Sequence, residues 1–332
     1  MSWRLPLITS IVIVVQMTLG ALVVGENAGF ACPDWPLCNG ALFPSPSGLV
    51  ALEWVHRATA LLVVVLVAAV AVQAWRRRED ARLFRLSVWA VLSLLVQVVV
   101  GGLIVLVKAP GVTTTIDVLN SMFLLSLSVT IAMRLRSRAA ACAGLPLNGV
   151  KSGEPRGEAY RRLRPASRAF TGAVWAAVTA GALFRHTGES EALFGRNDYL
   201  ASHGQTAMPS LAEAHWMLGL HGLTALCLAG AAVFLAVRAS RTRVLVRWAW
   251  GCLALVGAQA VLGILTLVTA LQLALATLHW TVASVLVACA AVLQGRTAAS
   301  VAENARARPS GADTDEDGRT DGVALAEPHP LR

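Results

Sequence analysis

Eight long apolar runs constrain the fold of this chain more than any other feature. Each has roughly the 20 residues that a helix needs to cross the hydrocarbon core of a bilayer. Charged residues make up 14% of the chain, against about 25% in soluble domains, and no alternating strand pattern is present. The sequence therefore predicts an all-α integral membrane protein with eight transmembrane helices, near residues 6–24, 49–75, 86–107, 113–133, 168–184, 211–237, 246–268 and 271–295.

The first apolar run could be taken for a secretory signal peptide, because it follows a short N-terminal stretch that contains Arg4. It has no clear small-x-small cleavage site, and it is long enough to span a membrane. We expect it to be retained as the first helix.

The positions of the basic residues indicate the orientation of the chain. The net charge of +9 invites a nucleic-acid-binding interpretation, but the 28 Lys and Arg residues gather at the N-terminus, in alternate loops and in the C-terminal tail. Only Lys108, Arg185 and Arg196 lie in the opposite loops, and Arg57 lies inside a helix. By the positive-inside rule we predict a cell-membrane protein with both termini in the cytoplasm, and no nucleic-acid partner.

Weak internal repeats divide the chain into two halves. Four segments of the first half match four of the second in the same order: 20–29 with 181–190, 56–62 with 221–227, 97–107 with 259–268, and 118–122 with 277–281. Two four-helix bundles, a fold that holds cofactors between facing helices, explain the matches. We predict bundles at 1–136 and 168–295, a basic cytoplasmic linker at 137–167 and a polar, disordered tail at 296–332.

Histidines lie inside the predicted helices, toward their outer ends, where ionisable groups are costly and usually functional. His56 lies on the second helix, His215 and His221 on the sixth, and His279 on the eighth. Any one of them could be an ordinary interfacial histidine, but imidazoles that face each other across a bundle can supply both axial ligands of a haem iron. Zinc is a weaker alternative, because a structural site needs about four close nitrogen or sulfur ligands.

Two histidines compete to be the ligand on the sixth helix. His215 and His221 are six residues apart and point about 120° away from each other. His221 shares the HxxTA context of His56, which favours it. The remaining histidines are expected outside the helices, with His186 and His203 in the third outer loop and His329 in the tail.

The stretch EWVHR places charged groups beside His56. Glu53 lies three residues earlier, on the same helix face, where a carboxylate can relay protons or stabilise a cationic intermediate. Arg57 could neutralise a haem propionate through a charge-assisted hydrogen bond. The simpler alternatives are a glutamate at a helix start and an arginine that extends to the membrane surface.

These motifs together resemble those of haem A synthases, the membrane enzymes that make haem A for cytochrome c oxidase. The resemblance rests on CPDWPLCNG in the first outer loop, EWVHR in the second helix, RHTG after the fifth and the duplicated eight-helix plan, over residues 5–295. It implies an oxidoreductase that converts the C8 methyl of haem O to a formyl group with oxygen from water. Haem O synthase and oxidase assembly factors are the implied partners.

The resemblance also implies a division of labour between the halves. A haem B cofactor is expected between His279 and His221, or His215, in the second half. The haem O substrate is expected near Glu53 and His56 in the first half.

The fourth helix departs from the family pattern. The family usually has a histidine there, whereas the matching stretch of this chain offers Asn120, and asparagine is a poor iron ligand. Either His56 alone holds the substrate haem, or the first site has diverged. Asp117, one turn earlier, is interpreted as the start of the helix.

This departure keeps other classes of protein open. A non-catalytic haem-binding assembly protein of the same fold and a b-type electron-transfer subunit would share the bundle. A transporter would instead require helices broken at mid-membrane, for which the sequence offers no prolines.

Cys32 and Cys38 lie close together in the predicted first outer loop, where disulfides persist. The loop lacks the further ligands that a metal site would need. One interpretation is a structural disulfide that shapes a lid over the first haem site. The family resemblance suggests another, in which the thiols exchange electrons with an outer-face thiol–disulfide protein.

Overall fold

A computed structural model describes residues 2–45, 47–108, 111–143, 156–196 and 208–307 of the chain. Over these ranges it contains helices, turns and an isolated bridge between Cys38 and Ala41, with no strands. The all-α prediction is confirmed. The long helices are α1 (Arg4–Gly25), α2 (Gly48–Trp75), α3 (Ala81–Leu106), α4 (Val112–Cys142), α5 (Arg156–His186), α6 (Leu211–Thr242), α7 (Val246–Val268) and α8 (Leu273–Ala307).

Seven of these helices are long and apolar enough to cross a membrane, so the chain has the character of a multi-pass membrane protein. The exception is α5, which the sequence predicted to be a span. Its apolar part is built largely from Ala, Gly and Thr, and its first half carries several arginines. Its mean hydropathy is therefore lower than that of its neighbours, although it is among the longest helices.

Several helices continue beyond the apolar runs. The C-terminal ends of α4 and α8 and the N-terminal end of α5 extend into the segments that the sequence assigned to the linker and the tail. Residues 144–155 and 308–332, like His203 and His329, lie outside the described part of the chain. His186 is the last residue of α5 and not a loop residue. Asp117 lies inside α4, which begins at Val112, so the expectation that it starts the helix is wrong.

The long helices pack in two rings of four. In the first ring α1 contacts α2, α2 contacts α3, α3 contacts α4 and α4 contacts α1; the same cyclic pattern joins α5, α6, α7 and α8. The rings meet where α8 packs on α1 and α4, and where α4 packs on α5. A hydrogen bond of 3.0 Å joins the hydroxyl groups of Thr18 on α1 and Thr281 on α8 across this junction.

An ion-pair cluster joins the turn between α2 and α3 to the C-terminal part of α4. The side chain of Asp80, which is 4% exposed, accepts a hydrogen bond from the Leu83 amide at the start of α3. It also pairs with Arg134 and Arg138 near the end of α4, each at 2.7 Å. Burial raises the pKa of Asp80, but the hydrogen bonds from Arg134 and Leu83 outweigh it and hold the pKa below its ordinary value.

Candidate haem site and outer loop

Two imidazoles face each other inside the second ring of helices. The rings of His221 on α6 and His279 on α8 have centroids 6.4 Å apart and stand at 84° to each other. Because α6 and α8 are not neighbours in the ring, these side chains approach across its centre. A metal ion between the two imidazoles would add two metal–nitrogen bonds of about 2 Å each. These bonds, together with the distance from each bonded nitrogen to its ring centroid, give a separation comparable to the one observed.

Glycines on the neighbouring helices make room for both imidazoles. A Cβ added to Gly181 on α5 would lie 2.8 Å from Cε1 of His221, and one added to Gly263 on α7 would lie 3.0 Å from Cε1 of His279. No larger residue fits at Gly181 without a shift of the ring. His221 also stacks on Phe184, with an angle of 15° between the rings.

The hydrogen bonds of the two imidazoles differ. Nδ1 of His279 lies 3.2 Å from the Gln259 carbonyl oxygen, an arrangement in which Nδ1–H donates and Nε2 carries the lone pair that a metal would bind; the Gln259 side-chain amide lies 3.3 Å from this Nε2. Nδ1 of His221 is buried and has no hydrogen-bond partner among the described residues. Both features fit the axial ligands of a haem iron.

The structure does not bring His215 to this pair. Its side chain is exposed, and its Nδ1 donates to the Leu211 carbonyl oxygen at 2.7 Å. His186 packs edge-on against Trp280, the residue after His279, and its buried Nε2 has no partner in the described part of the chain.

The first ring carries one imidazole in a comparable setting. His56 on α2 packs on Gly20 of α1, where an added Cβ would lie 3.2 Å from the imidazole Cε1. The Gln16 amide lies 3.1 Å from Nδ1 and 3.3 Å from Nε2 of this imidazole. A glycine therefore lies opposite the imidazoles of both rings. The sequence analysis did not identify these glycines as part of the site.

Glu53 and Arg57 form an ion pair beside His56. Nε of Arg57 donates to Oε1 of Glu53 at 2.7 Å, and the two side chains are 13% and 5% exposed. The second carboxylate oxygen, Oε2 of Glu53, is buried and has no hydrogen-bond partner among the described residues. A buried carboxylate with one free oxygen can receive a proton or stabilise a nearby positive charge.

Arg57 also holds the cysteine loop. Its Nη1 donates to the carbonyl oxygens of Asp34 and Leu37, at 2.6 and 2.5 Å, and its Nη2 donates to that of Cys32 at 3.0 Å. With the bond to Glu53, four of the five guanidinium N–H groups are in use. The predicted bond to a haem propionate would have one N–H available. The guanidinium is directed to the loop and the Glu53 carboxylate.

The loop itself is ordered by a disulfide and a carboxylate. Cys32 and Cys38 form a disulfide bond, as predicted. The Asp34 carboxylate accepts hydrogen bonds from the backbone amides of Asn39 and Gly40 at 2.6 and 2.7 Å. The amide bond from Gly40, with that from Asn39, holds the pKa of Asp34 below its ordinary value. The loop is therefore fastened to α2 through Arg57, directly above Glu53.

The sequence analysis missed a second buried ion pair at the outer side. Glu191, in the one-turn helix Glu189–Ala192, pairs with Arg185 at 2.5 Å and with Arg196 at 3.4 Å, and its side chain is 3% exposed. Arg196 also donates to the Ala270 carbonyl oxygen between α7 and α8. Arg196 and Glu191 thus join the loop after α5 to the turn between α7 and α8.

Asn120 on α4 is engaged in a local network. Its Nδ2 donates to the Ser93 carbonyl oxygen at 2.8 Å and to Oε1 of Gln97 at 2.7 Å, and its Oδ1 accepts from the Ser93 hydroxyl at 2.8 Å. The Gln97 amide in turn donates to Oδ1 of Asp117 at 2.7 Å. Both oxygen and nitrogen of Asn120 are therefore bonded to α3.

A known protein family matches most of this chain. The model of a family described as Cytochrome oxidase assembly protein matches residues 3–129 and 49–291. The chain belongs to this family. The resemblance to haem A synthases is confirmed by curated relatives that carry that name.

The similarity to those relatives is partial. The chain is 40% identical over 101 residues to a heme A synthase of Symbiobacterium thermophilum, 30% of this chain and 32% of that protein. It is 33% identical over 144 residues to one of Geobacillus thermodenitrificans, 40% of this chain and 43% of that protein. A protoheme IX farnesyltransferase of Halobacterium salinarum is 39% identical over 87 residues, 26% of this chain and 20% of that protein. The matches therefore span less than half the length of these relatives.

Proposed function

We propose that this protein is a haem A synthase, an oxidoreductase that converts the C8 methyl of haem O to a formyl group. The observation that carries the proposal is the pair of imidazoles, His221 and His279, that face each other 6.4 Å apart in a member of an oxidase assembly family. The reaction takes its oxygen from water and releases protons and electrons, so it needs an electron acceptor and a proton acceptor.

The second half holds the haem B cofactor. His221 and His279 would hold its iron, and Gly181 and Gly263 leave the space in which the imidazoles stand. The carbonyl oxygen of Gln259 fixes the tautomer of His279. Bound there, haem B supplies one-electron redox chemistry.

The first half receives the haem O substrate. His56 binds its iron, and Glu53 is the group that stabilises positive charge or receives protons as the methyl group is oxidised. Arg57 orients Glu53 by occupying Oε1, which leaves Oε2 for the reaction. The loop closed by Cys32 and Cys38 excludes water from this end of the bundle, and an outer-face thiol–disulfide protein is its redox partner.

The architecture that supports this function is a duplicated pair of four-helix bundles in the cell membrane, with α5 as the eighth span. The bundles occupy residues 1–136 and 168–295, and the linker 137–167 and the tail 296–332 are cytoplasmic together with the N-terminus. Basic residues at the inner ends support this orientation. Haem O synthase, oxidase assembly factors and the surrounding lipid are the partners.

The direct test is production of haem A. The protein is expressed with a haem O synthase, purified in detergent, and its extracted haems are separated by chromatography beside a competent heme A synthase. We expect haem A. Recovery of haem B and unconverted haem O alone, with the positive control active, would reject the enzyme.

The role of Glu53 is tested with a matched carboxylate. Glu53→Gln preserves the size of the side chain but removes its charge, and we expect conversion to fall by at least a hundredfold. Glu213→Gln, on the exposed start of α6, is the control and should convert haem O normally. Equal conversion by the two variants would remove Glu53 from the reaction.

The ligands are tested with a matched pair of histidines on one helix. We expect His221→Ala to lose the low-spin haem spectrum of the purified protein and His215→Ala to retain it, because His215 is exposed and bonded to its own helix. The reverse result would exchange the two assignments.

A second candidate is a non-catalytic haem-binding assembly protein of the same fold. The absence of a histidine at Asn120 favours it, because a haem held in the first half would lack the usual pair of imidazoles. It predicts a normal low-spin haem spectrum without haem A formation.

A further inference from the structure

The residue that corresponds to His279 in the first ring can be identified from contacts with a glutamine. In the second ring, the Gln259 amide on α7 lies 3.3 Å from Nε2 of His279, 20 residues later on α8. In the first ring, the Gln97 amide on α3 donates at 2.7 Å to Asp117, also 20 residues later, on α4. The same helix pair, the same glutamine and the same spacing therefore relate Asp117 to His279.

The surroundings of this position support the correspondence. Gly263 lies one turn after Gln259 and contacts the His279 ring, and Gly101 lies at the same place after Gln97. A Cβ added to Gly101 meets no atom within 4 Å. The aspartate side chain is shorter than an imidazole and does not reach across to this glycine.

Asn120 serves a different purpose, because it fixes the orientation of Gln97. Its Nδ2 donates to Oε1 of Gln97, so the glutamine must turn its NH₂ group toward Asp117. In the second ring the matching Oε1 of Gln259 is buried and has no partner among the described residues. The asparagine is therefore an orienting group for Asp117 and not the counterpart of a ligand.

Asp117 itself has no structural ion pair. Over the described residues, no Lys, Arg or His lies within 4.0 Å of its carboxylate, although it is inside a predicted membrane span. Carboxyl groups in such positions are costly and usually functional. It lies on α4, diagonal in the ring to α2, which carries His56, just as α8 is diagonal to α6.

We propose that Asp117 faces the haem of the first half from the side opposite His56, where a second axial imidazole would otherwise stand. This inference rests on the proposed function, because it presumes a haem in the first ring. Imidazole is a good ligand for haem iron and carboxylate a poor one. The first-half haem is thus held by one imidazole, which lets substrate enter and product leave, while the second-half haem is held by two and stays.

The test uses the full-length protein with a substitution that removes the low-spin haem signal of the second half. His279→Ala should lose the low-spin haem signal in electron paramagnetic resonance and absorption spectra. Adding Asp117→His should restore a low-spin signal, because the new imidazole faces His56 through the haem. Adding Asn120→His, the matched control one turn away, should not restore it.

The outcomes separate the inference from the proposed function. Restoration by Asn120→His, or by neither substitution, would overturn the assignment of Asp117. Haem A formation by the unaltered protein is measured separately, and its absence would count against the function alone. If the double variants fail to fold, Asp117→His in the unaltered background should double the low-spin haem content per chain, and an unchanged content would contradict the assignment.

Discussion

The cysteine loop offers the sharpest prediction, because the Arg57 guanidinium donates three hydrogen bonds to its carbonyl oxygens. Cys32 and Cys38 are 0% and 2% exposed, so a water-soluble reductant reaches their disulfide only when the loop opens. Arg57→Lys keeps a positive charge beside Glu53 but cannot make the three bonds to loop carbonyl oxygens, because an ammonium lacks the planar fork of a guanidinium. The variant should therefore open the loop more often.

The size of the effect follows from the bonds that are lost. Hydrogen bonds to charged groups contribute about 1.5 to 3 kcal/mol each, and the partly solvated loop carbonyls recover much of this from water when released. A net loss of about 2 to 3 kcal/mol corresponds to a roughly 30- to 150-fold larger open population. When opening and closing are fast, the reduction rate rises by the same factor.

The assay measures the rate at which a membrane-impermeant phosphine exposes thiols at Cys32 and Cys38 in purified protein. Thiols are counted by mass after alkylation. Arg196→Lys, the same chemical change at the outer side of the second ring, is the control and should reduce at the unaltered rate. An unchanged rate in Arg57→Lys, with haem content intact, would refute the role of Arg57 in closing the loop.

Two further predictions concern other buried contacts. Asp80→Asn should lower the free energy of unfolding by about 2 kcal/mol at neutral pH. This is less than the roughly 3–5 kcal/mol lost when one partner of a fully buried ion pair is removed, because Arg138 is half exposed. Since the pKa of Asp80 is depressed, this stabilisation is lost as the pH falls through its folded-state pKa. The melting temperatures of the two proteins in detergent should therefore begin to converge as the pH falls below about 4; a constant difference would contradict it. Gln259→Leu should keep the haem at His279 but broaden its low-spin resonance signal, because the amide near the ring is gone; an identical signal would show that the amide does not orient the ring.

Much of the fold could be predicted from the sequence because apolar length and charge position are local properties. The runs of apolar residues predicted the helices, and the outer cysteines predicted a disulfide. The hydropathy of α5 was overestimated, since Ala and Gly make a segment apolar without making it strongly hydrophobic. The C-terminal ends of α4, α6 and α8 were placed too early, because a helix can continue past an apolar run into a segment that contains arginines.

The site was harder to predict, because register decides which residues meet across a ring of helices. The weak repeat paired Asn120 with His279, whereas the contacts of Gln97 and Gln259 relate His279 to Asp117. Residues three apart lie on nearly the same face of a helix. An alignment error of three residues between the two halves therefore leaves the hydropathy pattern almost unchanged and cannot be detected from it. The bonds from Arg57 to the loop were equally invisible, since they join groups more than 20 residues apart through backbone carbonyls.

The glycines that accommodate the imidazoles reduce helix stability but leave space for the histidine rings. In an ordinary helix interior, replacing glycine by alanine stabilises the folded state by about 1 kcal/mol. At Gly20, Gly181 and Gly263 the added methyl group would meet a histidine ring at 3.2, 2.8 and 3.0 Å. Selection for a more robust protein and selection for an undisturbed imidazole therefore act in opposite directions at these positions, and consensus-style stabilisation of this membrane protein should leave all three glycines untouched.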